Sequence, residues 1–338
     1  MKRLSLATLI LAAVVCSCAS RDNTGVFKQP GRPPAPPPVP AVRKEPLNPA
    51  LQEQARKEIR DAFASNDPIM RADAIEAAQN TFGADAREIV SAGLGDKDGR
   101  VRFAAALAAG VLKFSDLHDR LWSMSDDPSP AVQVAVRFAL HRLGDTRLSQ
   151  ELVKLAVNEN PGIREYVAMV FGMIGEPSAL KVLQQMAPKE LEPDVRIQIA
   201  ASRWKAGNDE EGLQVLVAGM VSRYVDDQMT CLIAMSGPRD QRIAEYIRGK
   251  LTEPYTEVTL VAARALGELG FDDGYGVAMQ GVRSTDPRQR FLAAFALGAI
   301  GRSDAQSSLT SLLKDSDPHV RLAAATAVLE LKEPPVQG

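Results

Sequence analysis

Beyond about residue 50 the chain alternates two hydrophobic patterns. One is a dense block of Ala, Val and Leu, as in "DSDPHVRLAAATAV" from Asp315. The other is sparser, with Leu and Val recurring at three- and four-residue spacing, as in "DTRLSQELVKLAVNEN" from Asp145, "EPSALKVLQQMAPKEL" from Glu176 and "RSDAQSSLTSLLKDSD" from Arg302. That spacing predicts helices with one buried face. The dense blocks open on a helix-start signal: Asp317 can accept a bond from a free backbone N–H, and Pro318 suits the first turn, where its missing N–H leaves nothing unpaired.

The dense phrase returns as "NDPIMRADAIEAA" from Asn66, "DKDGRVRFAAALAA" from Asp96, "NENPGIREYVAMVFGMIG" from Asn158, "EPDVRIQIAASRWKAG" from Glu192 and "TDPRQRFLAAFALGAIG" from Thr285. Each carries an arginine in its first turn: Arg71, Arg102, Arg164, Arg196, Arg290 and Arg321. A glycine that can end the helix follows at Gly175, Gly207 and Gly301. Weaker copies fill the gaps, with Gln133, Asp226 and Thr259 in the place of the arginine and Gly144, Gly237 and Gly270 as the ends. The arginine positions and their substitutes step by about 31 residues, a fixed period that predicts a stacked array. Each period holds two antiparallel helices, neither able to hide its apolar face without its neighbours. The charged first helix, "LQEQARKEIRDAF" from Leu51, suits the exposed end of such an array, and Glu333-Pro334-Pro335 stops the last helix. The unit around Val225 lacks both the proline and the arginine, which makes it the expected soft joint.

These phrases resemble HEAT repeats, in particular the short subclass first noticed in phycobilisome-lyase proteins, over residues 51–333. The resemblance implies an all-α fold, a right-handed α-solenoid of about nine helix pairs. It also implies that the first-turn arginine reaches the acidic turn of a neighbouring unit. Arg321 would then approach Asp286 or Asp317, and Arg290 would approach Asp317 or the turn before it. With Arg71, Arg102, Arg164 and Arg196 they would form a ladder of charge-assisted bonds that fixes the stacking register. Such repeats serve scaffolds, adaptors and a few enzymes, so the fold leaves the function open.

Composition narrows it. A formal charge of −2 speaks against a dedicated nucleic-acid binder. At the N-terminus Lys2 and Arg3 precede an apolar run from Leu4 to Val15, a signal-peptide core too short to span a bilayer. Val15-Cys16-Ser17-Cys18 then resembles a bacterial lipobox with Cys18 as the lipidated residue; Cys16, behind the bulky Val15, is the poorer candidate. Ordinary secretion after a nearby cleavage and an uncleaved anchor are the alternatives. The expected organisation is a leader over 1–17, a lipidated cysteine with a proline-rich tether over 18–49, the solenoid over 50–333 and a tail over 334–338. Ala19 beside the lipidated cysteine implies an outer-membrane anchor facing the periplasm. The tether, "QPGRPPAPPPVPAVRKEPLNP" up to Pro49, lacks the side chains for a core and reads as a polyproline spacer.

Little in the repeats points to catalysis. His118, His141 and His319 lack metal-binding spacing, and no His-Glu pairs of the kind used by HEAT-like hydroxylases occur. Neither a phosphate-binding glycine loop nor a complete calcium loop is present, so no catalytic residue, metal or cofactor is assigned. Cys231 reads as a small apolar side chain. One column does stand out. On a helix, the residue five positions after the first-turn arginine points away from the arc buried against the neighbours, yet successive units carry Leu107, Phe138 and Met169 there, and the column four further on adds Val111 and Met173. These five residues are the expected partner-binding groove, packing between adjacent helices being the alternative. The reading is a non-catalytic adaptor that binds protein partners and reaches the membrane through its lipid, with no nucleic acid and no small-molecule substrate. A lyase-like enzyme and a cell-wall glycan binder remain as alternatives.

Overall fold

The computed structural model describes residues 46–332 except Asn208 and Arg239. The leader, Cys18, most of the tether and the tail after residue 332 lie outside the described residues. Eighteen α-helices and no strands occur among the described residues. None of these helices is long and apolar enough to cross a membrane. Helix α1 (Pro49–Phe63) precedes nine first helices: α2 (Pro68–Thr81), α4 (Gly99–Val111), α6 (Pro130–Arg142), α8 (Pro161–Ile174), α10 (Pro193–Gly207), α12 (Val225–Ser236), α14 (Thr256–Glu268), α16 (Pro287–Ile300) and α18 (Pro318–Glu330). Between them run the second helices α3 (Arg87–Gly93), α5 (His118–Ser123), α7 (Ser149–Lys154), α9 (Pro177–Met186), α11 (Glu210–Gly219), α13 (Ala244–Arg248), α15 (Tyr275–Gly281) and α17 (Gln306–Leu312). The fold is therefore an α-solenoid of helix pairs.

Local chemistry sets these boundaries. Asp67, Asp98, Asn160, Asp286 and Asp317 each accept a backbone N–H at the start of a first helix. Each such cap contributes about 1 kcal/mol. Pro68, Pro161, Pro287 and Pro318 follow four of them in the first turn. At the other end Gly175 and Gly301 close α8 and α16 in the left-handed conformation, with φ of 67° and 72°. Gly207 and Gly237 do not act in this way: Gly207 is the last residue of α10, and Gly237 keeps a right-handed φ of −53°.

Contacts divide the chain into two units, residues 59–216 and residues 46–58 together with 217–332. Within the first, α2, α4, α6, α8 and α10 pack in sequence; within the second, α12, α14, α16 and α18 do the same. Because each inner first helix has a first helix on both sides and second helices behind, almost no face is left for water. In α4, Ala105, Ala106, Ala108 and Ala109 are all 0 % exposed. The fourth side is closed too in the first unit, where Phe103 of α4 meets Tyr166 of α8, two repeats on, with ring centroids 4.7 Å apart. A dense alanine block, rather than an amphipathic stripe, is what such all-round packing requires.

In the second unit the N-terminal segment lies on the last repeats. Asn48 N–H donates to Gln306 Oε1 at 2.7 Å, and Gln306 Nε2 donates to the Pro46 carbonyl at 2.9 Å. Arg321 donates to Glu58 at 2.9 Å. The last residues of the expected tether are thus held, and the helix begins at Pro49.

Candidate functional site

The arginine ladder is built with one construction at each rung. Arg71 Nε and Nη2 donate to the two carboxylate oxygens of Asp96 at 2.7 and 2.8 Å, while Nη1 reaches back to the carbonyls of Ser65 and Asn66. Arg102 does the same with Asp127, Arg164 with Glu190 and Arg290 with Asp315, each also holding two carbonyls of its own turn. One guanidinium thereby ties its own turn to the next. The bond from Arg71 holds Asp96 below the usual carboxylate range against the opposing effect of burial, and Glu190 and Asp315 are lowered likewise by Arg164 and Arg290.

The acids differ from the expected ones. Asp286 and Asp317 use their side chains to cap α16 and α18 and are not rungs. The rung acid stands two residues earlier, as Asp315 does before Asp317, and also accepts the N–H of the capping residue. Arg321 accordingly pairs with neither Asp286 nor Asp317 but with Glu58. Arg196 is exposed and makes no rung, because Ser222, which accepts the N–H of the capping residue Tyr224, stands where the next acid is needed. The amide copies keep half the bond: Gln133 donates to the Asp127 carbonyl and Gln228 to the Ser222 carbonyl. Gln228, rather than Asp226, therefore takes the place of the arginine in its repeat.

The expected apolar groove is a different matter. Leu107, Phe138 and Met169 are 3 %, 1 % and 8 % exposed, so the column they form is core rather than surface. Val111 and Met173, four residues further along, are half-buried. The outward direction assumed for the column fails because the column packs between adjacent first helices: the Phe138 ring lies so close to Gly110 of α4 that a Cβ there would sit 2.9 Å from it.

In the second unit the same two columns hold charge, and they line an open cavity of about 410 Å³. Its walls are the C-terminal turns of α12, α14, α16 and α18. Arg264 and Phe295 stand in the column of Leu107 and Phe138; Glu268 and Glu330 stand in that of Val111 and Met173. Arg264 Nε donates to Glu268 at 2.9 Å, and its guanidinium lies 5.0 Å from the centre of the Phe295 ring. Ser236 Oγ bonds the other oxygen of Glu268 and the Ile233 carbonyl. Glu330 is half-buried among these groups. Burial pushes its carboxyl above the usual range; Arg264 works against the shift and the charge of Glu268 with it. Room for the cavity comes from small residues. A Cβ on Gly298 would sit 2.5 Å from Glu330 Oε2 and 2.8 Å from Ala327 Cα, so glycine is what lets α16 and α18 approach.

Arg264, Glu268 and Glu330 recur in the register of the two columns from which only the apolar members were expected to act, and that recurrence is the sequence signal for the cavity. His118 bonds Asp119 and Asp145, and His141 bonds Ser149 and Glu176. Cys231 is fully buried, its thiol pushed up to about 12 by burial.

Comparison with known proteins agrees with the repeat reading. A family model described as HEAT repeats matches residues 117–203 and 277–336. No curated protein matches the chain significantly. Among solved structures, the CpcE and CpcF complex of phycocyanin lyase from Nostoc sp. PCC7120 is 19 % identical over 70 % of this chain and 97 % of that one, with a TM-score of 0.43. Human deoxyhypusine hydroxylase in complex with glycerol is 17 % identical over 71 % and 93 %, at 0.36. Kap121p bound to Nup53p is 13 % identical over 80 % and 37 %, at 0.35.

Proposed function

We propose that this chain of HEAT repeats is a non-catalytic adaptor, binding protein partners on its repeats and held at the bacterial envelope by a lipid on Cys18, at the outer membrane and facing the periplasm. The observation that carries the partner reading is the placement of large apolar side chains beside a ladder rung. Val157 and Leu191 are 78 % and 86 % exposed at the turns that Arg164 and Glu190 join. A rung fixes those turns, and apolar groups shown to water on a fixed frame suit a protein contact. Fixed presentation also lowers the ordering cost of association.

The test is photo-crosslinking of the full lipidated chain in its native envelope, comparing the natural protein with Val157→Ser/Leu191→Ser. One reproducible crosslinked protein that disappears in the double variant, with the melting temperature retained, supports the adaptor. The same crosslink in both proteins removes this surface from consideration. The alternative of a lyase-like enzyme draws support from the cavity, where two carboxyls sit in different environments, one paired with Arg264 and one pushed up by burial. Native mass spectrometry of the envelope protein separates the two readings, since a bound pigment or other small organic molecule favours the enzyme.

A further inference from the structure

The cavity between the ends of α12, α14, α16 and α18 holds one carboxyl, Glu330, that no described residue meets in a hydrogen bond or ion pair, Arg264 acting on its charge only from a distance. Arg264 is committed to Glu268 and to the face of Phe295. Lys332 lays the aliphatic part of its side chain against Gly301 at the rim. Glu330 makes no hydrogen bond or ion pair with any described residue. Four helix C-terminal turns converge on the same space, and the carbonyl end of a helix favours positive charge. Phe295, Leu269 and Ala299 add apolar wall on which the methylenes of a long side chain can lie. At about 410 Å³ the space is at the lower end of ligand pockets, which suits one side chain better than a large ligand.

We propose that this cavity receives a basic side chain, an arginine or lysine carried by an extended segment of a protein partner, with Glu330 as its counter-charge. The inference rests on the adaptor reading and names the chemistry of one contact within it. The cation takes this unpaired acid, and the Arg264–Glu268 pair stays closed behind it, braced by Ser236. Because the groups facing Glu330 are Glu268 and Arg264 from α14, Ser236 from α12 and Lys332 beyond α18, an arriving cation has one carboxyl to engage and another already neutralised. Its arrival favours the ionised form of Glu330, so binding releases a proton over the pH range in which that carboxyl is still protonated in the free protein.

The experiment uses the full chain in detergent and two fluorescent nine-residue Gly/Ser peptides, one with a central arginine and the other with citrulline, its neutral near-isostere. The expected result is binding at least tenfold tighter for the arginine peptide by fluorescence anisotropy. In Glu330→Gln, which removes a charge without changing volume, that preference collapses while the melting temperature does not fall. Equal binding of the two peptides overturns the proposal, as does an arginine preference that survives in Glu330→Gln. If N-acetylarginine amide alone binds as tightly as the peptide, the site is one for small amines and the partner assignment falls. The outcome stays separable from the adaptor reading. A Val157/Leu191-dependent crosslink that is intact in Glu330→Gln, with no peptide discrimination, leaves the adaptor and removes the cavity proposal. Discrimination without any crosslinked protein does the reverse.

Discussion

The unit of residues 59–216 and the unit containing residues 217–332 use the same register positions for opposite ends. In the first, the column five residues after the first-turn arginine position carries Leu107, Phe138 and Met169 and is packed shut. In the second it carries Arg264 and Phe295, and the space beside them is open. A repeat scaffold tolerates this because the stacking of each helix pair is held elsewhere, by buried Ala and Leu and by the ladder. The inner end of the first helices is therefore free to be core in one place and a polar cavity in another.

The sharpest break in that comparison comes from matched truncations. Phe138→Ala removes a ring that is 1 % exposed, and a loss of about 3–5 kcal/mol is expected from transfer and cavity terms. Phe295→Ala, at the same register but beside an open cavity, is expected to cost about 1–2 kcal/mol, since less apolar surface returns to water. Urea unfolding followed by circular dichroism measures both. Equal losses would mean that the two columns are equally packed and that the contrast is false.

Next in size is the ladder. Arg102→Met leaves the Asp127 side chain, 7 % exposed, without its counter-charge. Breaking a buried pair from one side costs about 3 kcal/mol. Arg321→Met strips a pair in which both side chains are more exposed, 31 % and 23 %, and about 1 kcal/mol is expected. The acids add a pH signature. Asp96, Glu190 and Asp315 have lowered folded-state pKa values, so the stability they contribute is present above the ordinary carboxylate range. It is lost as pH falls through the lowered values. Thermal melts from pH 6 downward should decline there, and Arg71→Met should decline less steeply because its rung is already open.

The period, the caps and the first-turn arginines were legible because each depends on residues close in sequence. Asp317 and Pro318 announce a helix start wherever they stand. What was not legible was which acid an arginine meets about one repeat away. The acid pairs Asp96-Lys-Asp98 and Asp315-Ser-Asp317 assign the first acid to the rung and the second to the cap, a division that follows from backbone direction at the turn. Nor could periodicity show that the face bearing Phe138 meets protein. A hundred degrees per residue places a side chain around its helix axis, but whether water lies in that direction depends on how closely the next first helix approaches, as Gly110 lets α4 approach Phe138. Glu58 as the partner of Arg321 depends on the path of a segment 263 residues away, which no local pattern encodes.

A smaller effect is expected at Gly298, where an added Cβ would press on the backbone of α18 at Ala327 as well as on Glu330. Overpacking of this kind costs about 1–3 kcal/mol. Gly298→Ala should therefore lower stability and, by shifting α18, weaken the arginine preference of the cavity. Loss of stability with the preference intact would show that the glycine serves helix packing alone.

The smallest effect has the opposite sign to the ladder's and so tests the contrast most finely. Glu330 has a raised folded-state pKa, with burial as the main cause. A raised carboxyl favours the folded state below its unfolded pKa, and that contribution is lost as pH rises through the folded value. Glu330→Gln cannot ionise, so its melting temperature should exceed that of the natural chain by a small margin near neutral pH. The margin should close as the pH falls into the ordinary carboxylate range. At the matching register of the first unit stands Met173, where Met173→Leu should leave the pH dependence of stability unchanged. A margin that fails to narrow on acidification would mean that Glu330 is solvated like a surface acid, and the cavity would then lack the half-buried, unpaired carboxyl that distinguishes it from the packed column.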